Sequence, residues 1–314
     1  MRNTLLILIL MCSLSSCKKK LNYSNYISYN AEDNSLVVYI TDNNQKNIYY
    51  GFEIKYEKDT SDLIFSNQYR INGAEVYKLI DHKMLNINLT ALEKGESEFV
   101  YKTPNKIDYT GGYHGDEQLI EVSFIVDGKE IELRKNFELM PCKEFEYVQK
   151  SSLHESGSKI DGINYKHPVE AIHIKKTSFK NSGYITLNSI KWQKDLELQN
   201  VLGSLVCIDR DFGGYGKSQS IDTIKFNLDG KQKLKSNDKS IELWNAQNKT
   251  KVRVSSEFSI NNDSSKQWIW DHKGYNKYYR DIGKVKAKKG DEWLFTTKVK
   301  FELDKNTIYK SSYK

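Results

Sequence analysis

The stretch LIEVSFIVDGKEIEL, Leu119–Leu133, decides the fold. Asp127-Gly128 divides it into two runs in which apolar and polar side chains alternate, the period of a half-buried strand. Asp-Gly suits the positive-φ positions of a type I′ turn, so the stretch reads as a β-hairpin.

The same alternation extends in both directions. It recurs in SLVVYIT (Ser35–Thr41), IYYGFEIKYE (Ile48–Glu57) and LNINLT (Leu85–Thr90), and later in EAIHIKKTSF (Glu170–Phe179) and GYITLNSIKW (Gly183–Trp192). Near the end, Val299, Phe301 and Leu303 point one way and Lys298, Lys300 and Glu302 the other, which gives a sheet with one buried and one wet face. No window carries a long apolar stripe at helical spacing. The best short helical turn is Asn88–Glu96. The chain is therefore expected to be all-β, an antiparallel sandwich or jelly roll. Its length admits two β domains in series, 35–140 and 141–314, with Leu139–Gly162 as the junction, or one continuous large sandwich.

The first residues, MRNTLLILILMCSLSSCKKK, join a basic Arg2 to an apolar run, Leu5–Met11, too short to span a bilayer. LSSC, Leu14–Cys17, resembles the lipobox of bacterial lipoproteins. The resemblance implies a signal peptide over 1–16, lipidation of Cys17, and a lipidated tether over 17–34. It also implies an exported, membrane-anchored protein of the bacterial envelope, because several acyl chains bury enough methylenes for a stable anchor. Outside the cytoplasm a Cys142–Cys207 disulfide is permitted; two small core thiols are the alternative.

Across the 314 residues, 48 basic and 41 acidic side chains leave a formal charge of +7. Lysines alternate with carboxylates and form no basic face or helix, which argues against nucleic acid. A modest positive field is compatible with an acidic glycan. Nothing in the pattern specifies an oligomeric state.

Four stretches carry chemistry-bearing residues. In DYTGGYHGDEQ, Asp108–Gln118, three glycines permit a tight backbone excursion beside the hairpin. Locally it resembles the GGxHGxE motif of zinc carboxypeptidases and related desuccinylases, which implies His114 and Glu117 as metal ligands of a hydrolase. That family sets them in an α/β fold, whereas the flanks here are β. Another reading makes Tyr113 or Tyr109 the base that removes the proton α to a uronate carboxyl, with His114 and Arg210 offsetting the developing charge. Asp116 with Glu117 as paired glycosidase carboxylates requires an irregular loop, since neighbours on a strand face opposite ways. Calcium held by Asp116 and Glu117, or a turn satisfying its own backbone, complete the alternatives.

In NYKHPVEAIHIKK, Asn164–Lys176, His173 alternates with Ile172 and Ile174. If the isoleucines are core, His173 faces the open side and is available to substrate. With His114, His154 and His167 it would form a histidine set, and zinc needs three or four close ligands. In CIDRDFGGYGKS, Cys207–Ser218, no Walker lysine and no helix follow the glycines, so nucleotide binding is rejected. Arg210 either pairs with its aspartate neighbours or clamps a sugar carboxylate. In QWIWDHKGYNKYYRDIG, Gln267–Gly283, Trp268, Trp270 and Tyr278 are candidates to stack on sugar faces, as are Tyr275 and Tyr279.

The expected function is an envelope lipoprotein that binds polysaccharide, with cleavage by β-elimination or hydrolysis as the enzymatic form of that reading. The alternatives are a non-catalytic binding or structural lipoprotein, and a metal-dependent hydrolase using His114 and Glu117. Convergence of His114, Tyr113, Arg210 and His173 on one cleft would separate the enzymes from the binder.

Overall fold

The computed structural model describes residues 25–59, 66–87, 92–106, 108–157, 159–160, 164–165, 169–212, 215–219, 221, 223–224, 230–235, 237–245, 249–260 and 265–304. Residues 1–16, expected to be a signal peptide, together with Cys17, His167 and Gly213-Gly214, lie outside the described residues.

In chain order the strands are β1 (Asn25–Asn30), β2 (Ser35–Thr41), β3 (Ile48–Asp59), β4 (Ser66–Ile80), β5 (Lys83–Asn86) and β6 (Glu93–Lys102). After a 3-10 turn at Gly112–His114 come β7 (Glu117–Val126), β8 (Lys129–Ile131), β9 (Phe137–Cys142), β10 (Phe145–His154), β11 (Lys159–Ile160) and β12 (Asn164–Tyr165). The next are β13 (Val169–Lys180), β14 (Gly183–Trp192), β15 (Leu196–Leu198), β16 (Asn200–Asp209), β17 (Tyr215–Ser218) and β18 (Lys231–Leu234). The last are β19 (Ser240–Asn245), β20 (Thr250–Phe258), β21 (Lys266–Asp271), β22 (Tyr275–Asp281), β23 (Val285–Ala287) and β24 (Glu292–Leu303).

These strands build two large antiparallel sheets, as the alternation requires. The first runs β8–β7–β10–β13–β14–β24–β20–β19–β17. The second runs β9–β1–β2–β3–β4–β6–β16–β22–β21–β18. They are joined where Ser66 and Asn67 pair in parallel with Glu117 and Gln118. The deciding hairpin is present: Asp127 and Gly128 both have positive φ, 51° and 77°, between the paired Val126 and Lys129.

Three expected boundaries differ. Asn25–Asn30, assigned to the tether, is a strand, because Ile27 and Tyr29 alternate into the core. Glu93–Glu96, expected in a helical turn, belongs to β6. The expected junction contains β10, which pairs with β7 on one side and β13 on the other, so the ladder crosses it unbroken.

The sheets pack face to face. Phe52 of β3 meets Phe179 and Tyr184 of the facing sheet at ring separations of 5.4 and 5.6 Å. Further along, Phe99 meets Phe295 at 5.1 Å and Tyr101 meets Trp192 at 5.2 Å. Removing each such ring from water contributes roughly 2–3 kcal/mol. The two aromatic cores are distinct. Between them lies a buried polar belt: Gln149 and Ser151 of β10, His173, Lys175 and Thr177 of β13, Thr186 and Asn188 of β14, and Thr297 of β24. Apart from the Ser151 hydroxyl, which has no hydrogen-bond partner among the described residues, the belt is hydrogen-bonded within and across layers. Thr177 meets Thr186 at 3.1 Å, Lys175 Nζ donates to the Ser97 carbonyl at 3.2 Å, and Thr297 donates to Ser204 at 2.9 Å.

Candidate functional site

The Tyr109–Glu117 loop lies over the outer face of the second sheet. Its course needs glycine at two points. Gly111 has φ +104° and a Cβ there would stand 2.6 Å from the Phe99 carbonyl oxygen; Gly112 has φ +56° and a Cβ would meet the Glu98 carboxylate. Gly112 turns its carbonyl to Arg70, whose Nη2 donates to it at 2.8 Å. The Arg70 guanidinium stacks on the Tyr113 ring, 3.5 Å from its centroid, and Nη1 reaches Glu57 at 3.4 Å. Glu98 accepts the Tyr113 N–H. Burial, the largest influence, raises the Tyr113 phenol well above its ordinary range, and Arg70 offsets only part of this. A phenol held in that state is a poor proton acceptor at neutral pH.

Glu117 roots the loop in the interior. Its Oε2 accepts the Gly112 N–H at 2.8 Å and the Gln68 amide at 3.2 Å, while Oε1 lies 2.8 Å from Nδ1 of His173. His173 Nε2 lies 3.0 Å from the Asn188 amide oxygen. Both ring nitrogens are thus engaged inside the protein. Burial pushes the Glu117 carboxyl upward, but the His173 charge and hydrogen bond, together with the Gly112 N–H, outweigh it and hold the carboxyl at about 2.

These contacts correct several expectations. His173 is buried, not on an open face; Ile174 is the exposed one. Both Glu117 oxygens are engaged in hydrogen bonds within the protein, and the imidazole paired with its carboxylate is that of His173. Asp116 is buried too, and its carboxylate accepts the Gly157 N–H at 2.8 Å. His154 is buried, 3.0 Å from the Ser152 hydroxyl. Among the described residues, no group of three or more His, Cys, Asp and Glu is arranged to hold a metal ion.

Arg210 does not join the loop. Its Nη1 pairs with Asp271 at 2.5 Å and donates to the His272 carbonyl. It lies five residues beyond Leu205, the β16 partner of Glu98, which separates it from the loop by ~15 Å along the strand. The enzyme constellation is thus dispersed: Glu117 and His173 meet in the interior, Tyr113 and His114 lie on the outer face, and Arg210 caps a strand end.

What does assemble is a strip of half-buried rings on that outer face. Trp268 of β21 stacks on its cross-strand partner Tyr279 of β22, centroids 4.8 Å apart and planes 13° from parallel. Both rest with Tyr109 on the buried Val100, Leu202 and Leu205. Tyr109 in turn faces His114 at 5.3 Å, and Lys102 Nζ is 5.7 Å from the Tyr109 ring. In the other direction Trp270 meets His272 at 4.8 Å, and His272 stacks on Tyr275 at 4.4 Å. Lys231 Nζ is 4.7 Å from the Trp270 ring, and Lys277 Nζ lies 5.5 Å from Tyr279 and 5.7 Å from Tyr275. Tyr278, expected to bind substrate, points to the opposite face; it is buried and donates to Gln267 at 2.9 Å. Sequence reasoning missed Lys102, Lys231 and Lys277. The period-two phase shared by Lys277 with Tyr275 and Tyr279 was the available signal for the last.

No protein-family model matches the chain, and no curated protein matches it. Among solved structures it is similar to a protein from Synechocystis sp. PCC 6803, with 8% identity and a TM-score of 0.43 over 89% of this chain and 96% of that one. It is similar to the galactosidase domain of an alpha-galactosidase-sucrose kinase, with 7% identity and a TM-score of 0.47 over 88% of this chain and 41% of that one. A galactose mutarotase-like protein from Clostridium acetobutylicum gives 10% identity and a TM-score of 0.37 over 81% and 99%. Likeness of this degree is one of outline alone. The class in evidence is a two-layered, all-β sandwich.

Proposed function

We propose that the protein is a lipid-anchored polysaccharide-binding protein of the bacterial envelope, which holds acidic glycan on the outer face of the second sheet without cleaving it. The observation that carries this reading is the strip from Tyr109 and His114 through Trp268 and Tyr279 to Trp270 and Tyr275, with lysines against its rings. Sugar rings present apolar C–H faces that stack on flat aromatic side chains. Lysine charges add an attraction for carboxylated or sulfated sugars. Binding is favoured over cleavage because the candidate acids and bases are engaged: Glu117 with His173, Arg210 with Asp271, and Tyr113 under Arg70. The anchor rests on the Leu14–Cys17 motif.

The test is electrophoresis of the purified mature protein through gels containing polygalacturonate or amylose, with absorbance of unsaturated uronate followed in parallel. Retardation by polygalacturonate without product absorbance is expected. Product formation that Tyr113→Phe abolishes would replace this reading with the lyase. For the anchor, Cys17→Ser should abolish acyl labelling in cells; persistent label would contradict it.

A further inference from the structure

The outer face of the first sheet carries a row of cations that the alternation along each strand conceals, because the row runs across strands. By register Lys217 of β17 sits opposite Glu242 of β19, and Glu242 opposite Arg253 of β20. Arg253 is opposite Lys300 of β24, Lys300 opposite Gly183 of β14, and Gly183 opposite Lys180 of β13. Cross-strand partners share a face. Their neighbours Leu243, Val252, Val299 and Phe179 turn into the core, which makes the face of the row the outer one. We infer that this row docks on a membrane surface bearing anionic headgroups and lays the first sheet against it, with the ring strip on the opposite side of the sandwich turned away from the bilayer. The inference rests on the lipid-anchored reading above.

Charge is the first argument. Further along this face lysines and carboxylates pair one to one: Lys150 with Glu121, Lys176 with Glu146, and Lys298 with Glu257. In the row four cations face one carboxylate, an excess of three positive charges. Glu242 holds Arg253 at 2.9 Å and Lys217 at 3.2 Å, while Lys251 beside the row is balanced by Glu302 at 3.2 Å. Lys180 and Lys300 are exposed and, among the described residues, in no ion pair. Beyond Lys180 the β9–β10 turn adds Lys143 and Glu144, which leave the excess unchanged. At a strand spacing of about 4.8 Å the row is ~24 Å long. Trp244 lies beside it, its ring 5.4 Å from Lys217 Nζ, and tryptophan settles at the headgroup level of a bilayer.

Position is the second. Ser182, in the turn between Lys180 and Gly183, donates its hydroxyl to the Thr41 carbonyl at 3.3 Å, and Thr41 donates its N–H to the Asn25 side chain at 3.2 Å. β1 therefore starts at the Lys180 end of the row. Asn25 is eight residues beyond Cys17, a reach of at most ~29 Å for extended chain. Acyl chains on Cys17 keep that end of the row close to the headgroups. Lysine and arginine are attracted to an anionic surface once within a Debye length of it, so the anchor and the row favour the same orientation.

The experiment is co-sedimentation of the mature protein carrying Cys17→Ser, so that the row is read without the lipid. The vesicles are phosphatidylglycerol and phosphatidylcholine in equal parts, or phosphatidylcholine alone. Sedimentation with the anionic vesicles only, reversed by salt, is expected. Adding Lys180→Gln/Lys300→Gln should weaken it about twenty-fivefold, or about fivefold for each cation, with the circular dichroism unchanged; Glu242→Gln should strengthen it. Equal sedimentation with and without the two lysines would assign binding to Lys18, Lys19 and Lys20 and overturn the inference. Binding to neither vesicle, or to both alike, would overturn it too. The lysine variant should keep its retardation by polygalacturonate; a parallel loss there would make the row a glycan site and not a membrane one. Acyl label on Cys17 without vesicle binding would remove the row and leave the anchor, whereas vesicle binding without label would keep the row and remove the anchor.

Discussion

Glu117 Oε1 and His173 Nδ1 meet at 2.8 Å, linking the first residue of β7 to the middle of β13 over the intervening β10. Both side chains are buried, at 1% and 3% exposure. Removing one member of such a pair strands a charge in the interior. His173→Ala and Glu117→Ala should each cost about 3–5 kcal/mol. Urea unfolding checks this, and the double variant should lose less than the sum of the singles.

Acid should act through the same carboxyl. Glu117 is held at about 2, against 4.5 for an unperturbed group. A depressed folded value means that the stabilisation is fully present above pH 4.5 and is lost as pH falls toward 2. Its size is on the order of 3 kcal/mol. Wild-type stability should decline through that window, and His173→Ala should flatten the decline. An unchanged slope in the variant would contradict the pairing.

This pair also shows what the sequence conceals. The alternation of Val299, Phe301 and Leu303 translates directly into β24, whose inner face is apolar at those positions. On β13 the same rule inverts: Ile172 and Ile174 look like core, yet Ala171, His173, Lys175, Thr177 and Phe179 are the inward set. The polar belt between two aromatic cores has no local signature, because its hydrogen bonds come from other strands. The phase was nonetheless recoverable from Phe179, which shares parity with His173. Arg70 and Glu98 are isolated charges within strand patterns, and only the loop folding over them gives them meaning. The ring strip was half legible: Trp268 and Trp270 share a face as their spacing requires, whereas Tyr278 falls out of phase with Tyr279 and turns inward.

The loop's glycines should be stringent. At Gly112, alanine would adopt an unfavourable positive φ and press its Cβ on the Glu98 carboxylate. Gly112→Ala should lower stability by about 1–3 kcal/mol, seen as a reduced melting temperature.

Cys142 and Cys207 are both buried thiols with no disulfide between them, the small-core-thiol alternative of the two readings. Burial, with a contribution from Asp127, pushes the Cys142 thiol up to about 12. Native protein should resist a thiol reagent at pH 8, and both thiols should react once it is denatured, since the thiolate is the reactive form.

Arg210 should matter for stability and not for ligand. Arg210→Ala leaves the buried Asp271 carboxylate without its cation, a loss of about 1–3 kcal/mol, and polygalacturonate retardation should be unchanged. Lost retardation in a fully folded variant would restore the clamp.

The central claim is that polysaccharide lies on the stacked rings of the outer face. The most direct measurement is titration of polygalacturonate into wild type and into Trp268→Ala/Tyr279→Ala, with circular dichroism confirming the fold of each. The account predicts binding by wild type and its loss in the variant. Equal binding by both proteins would contradict it.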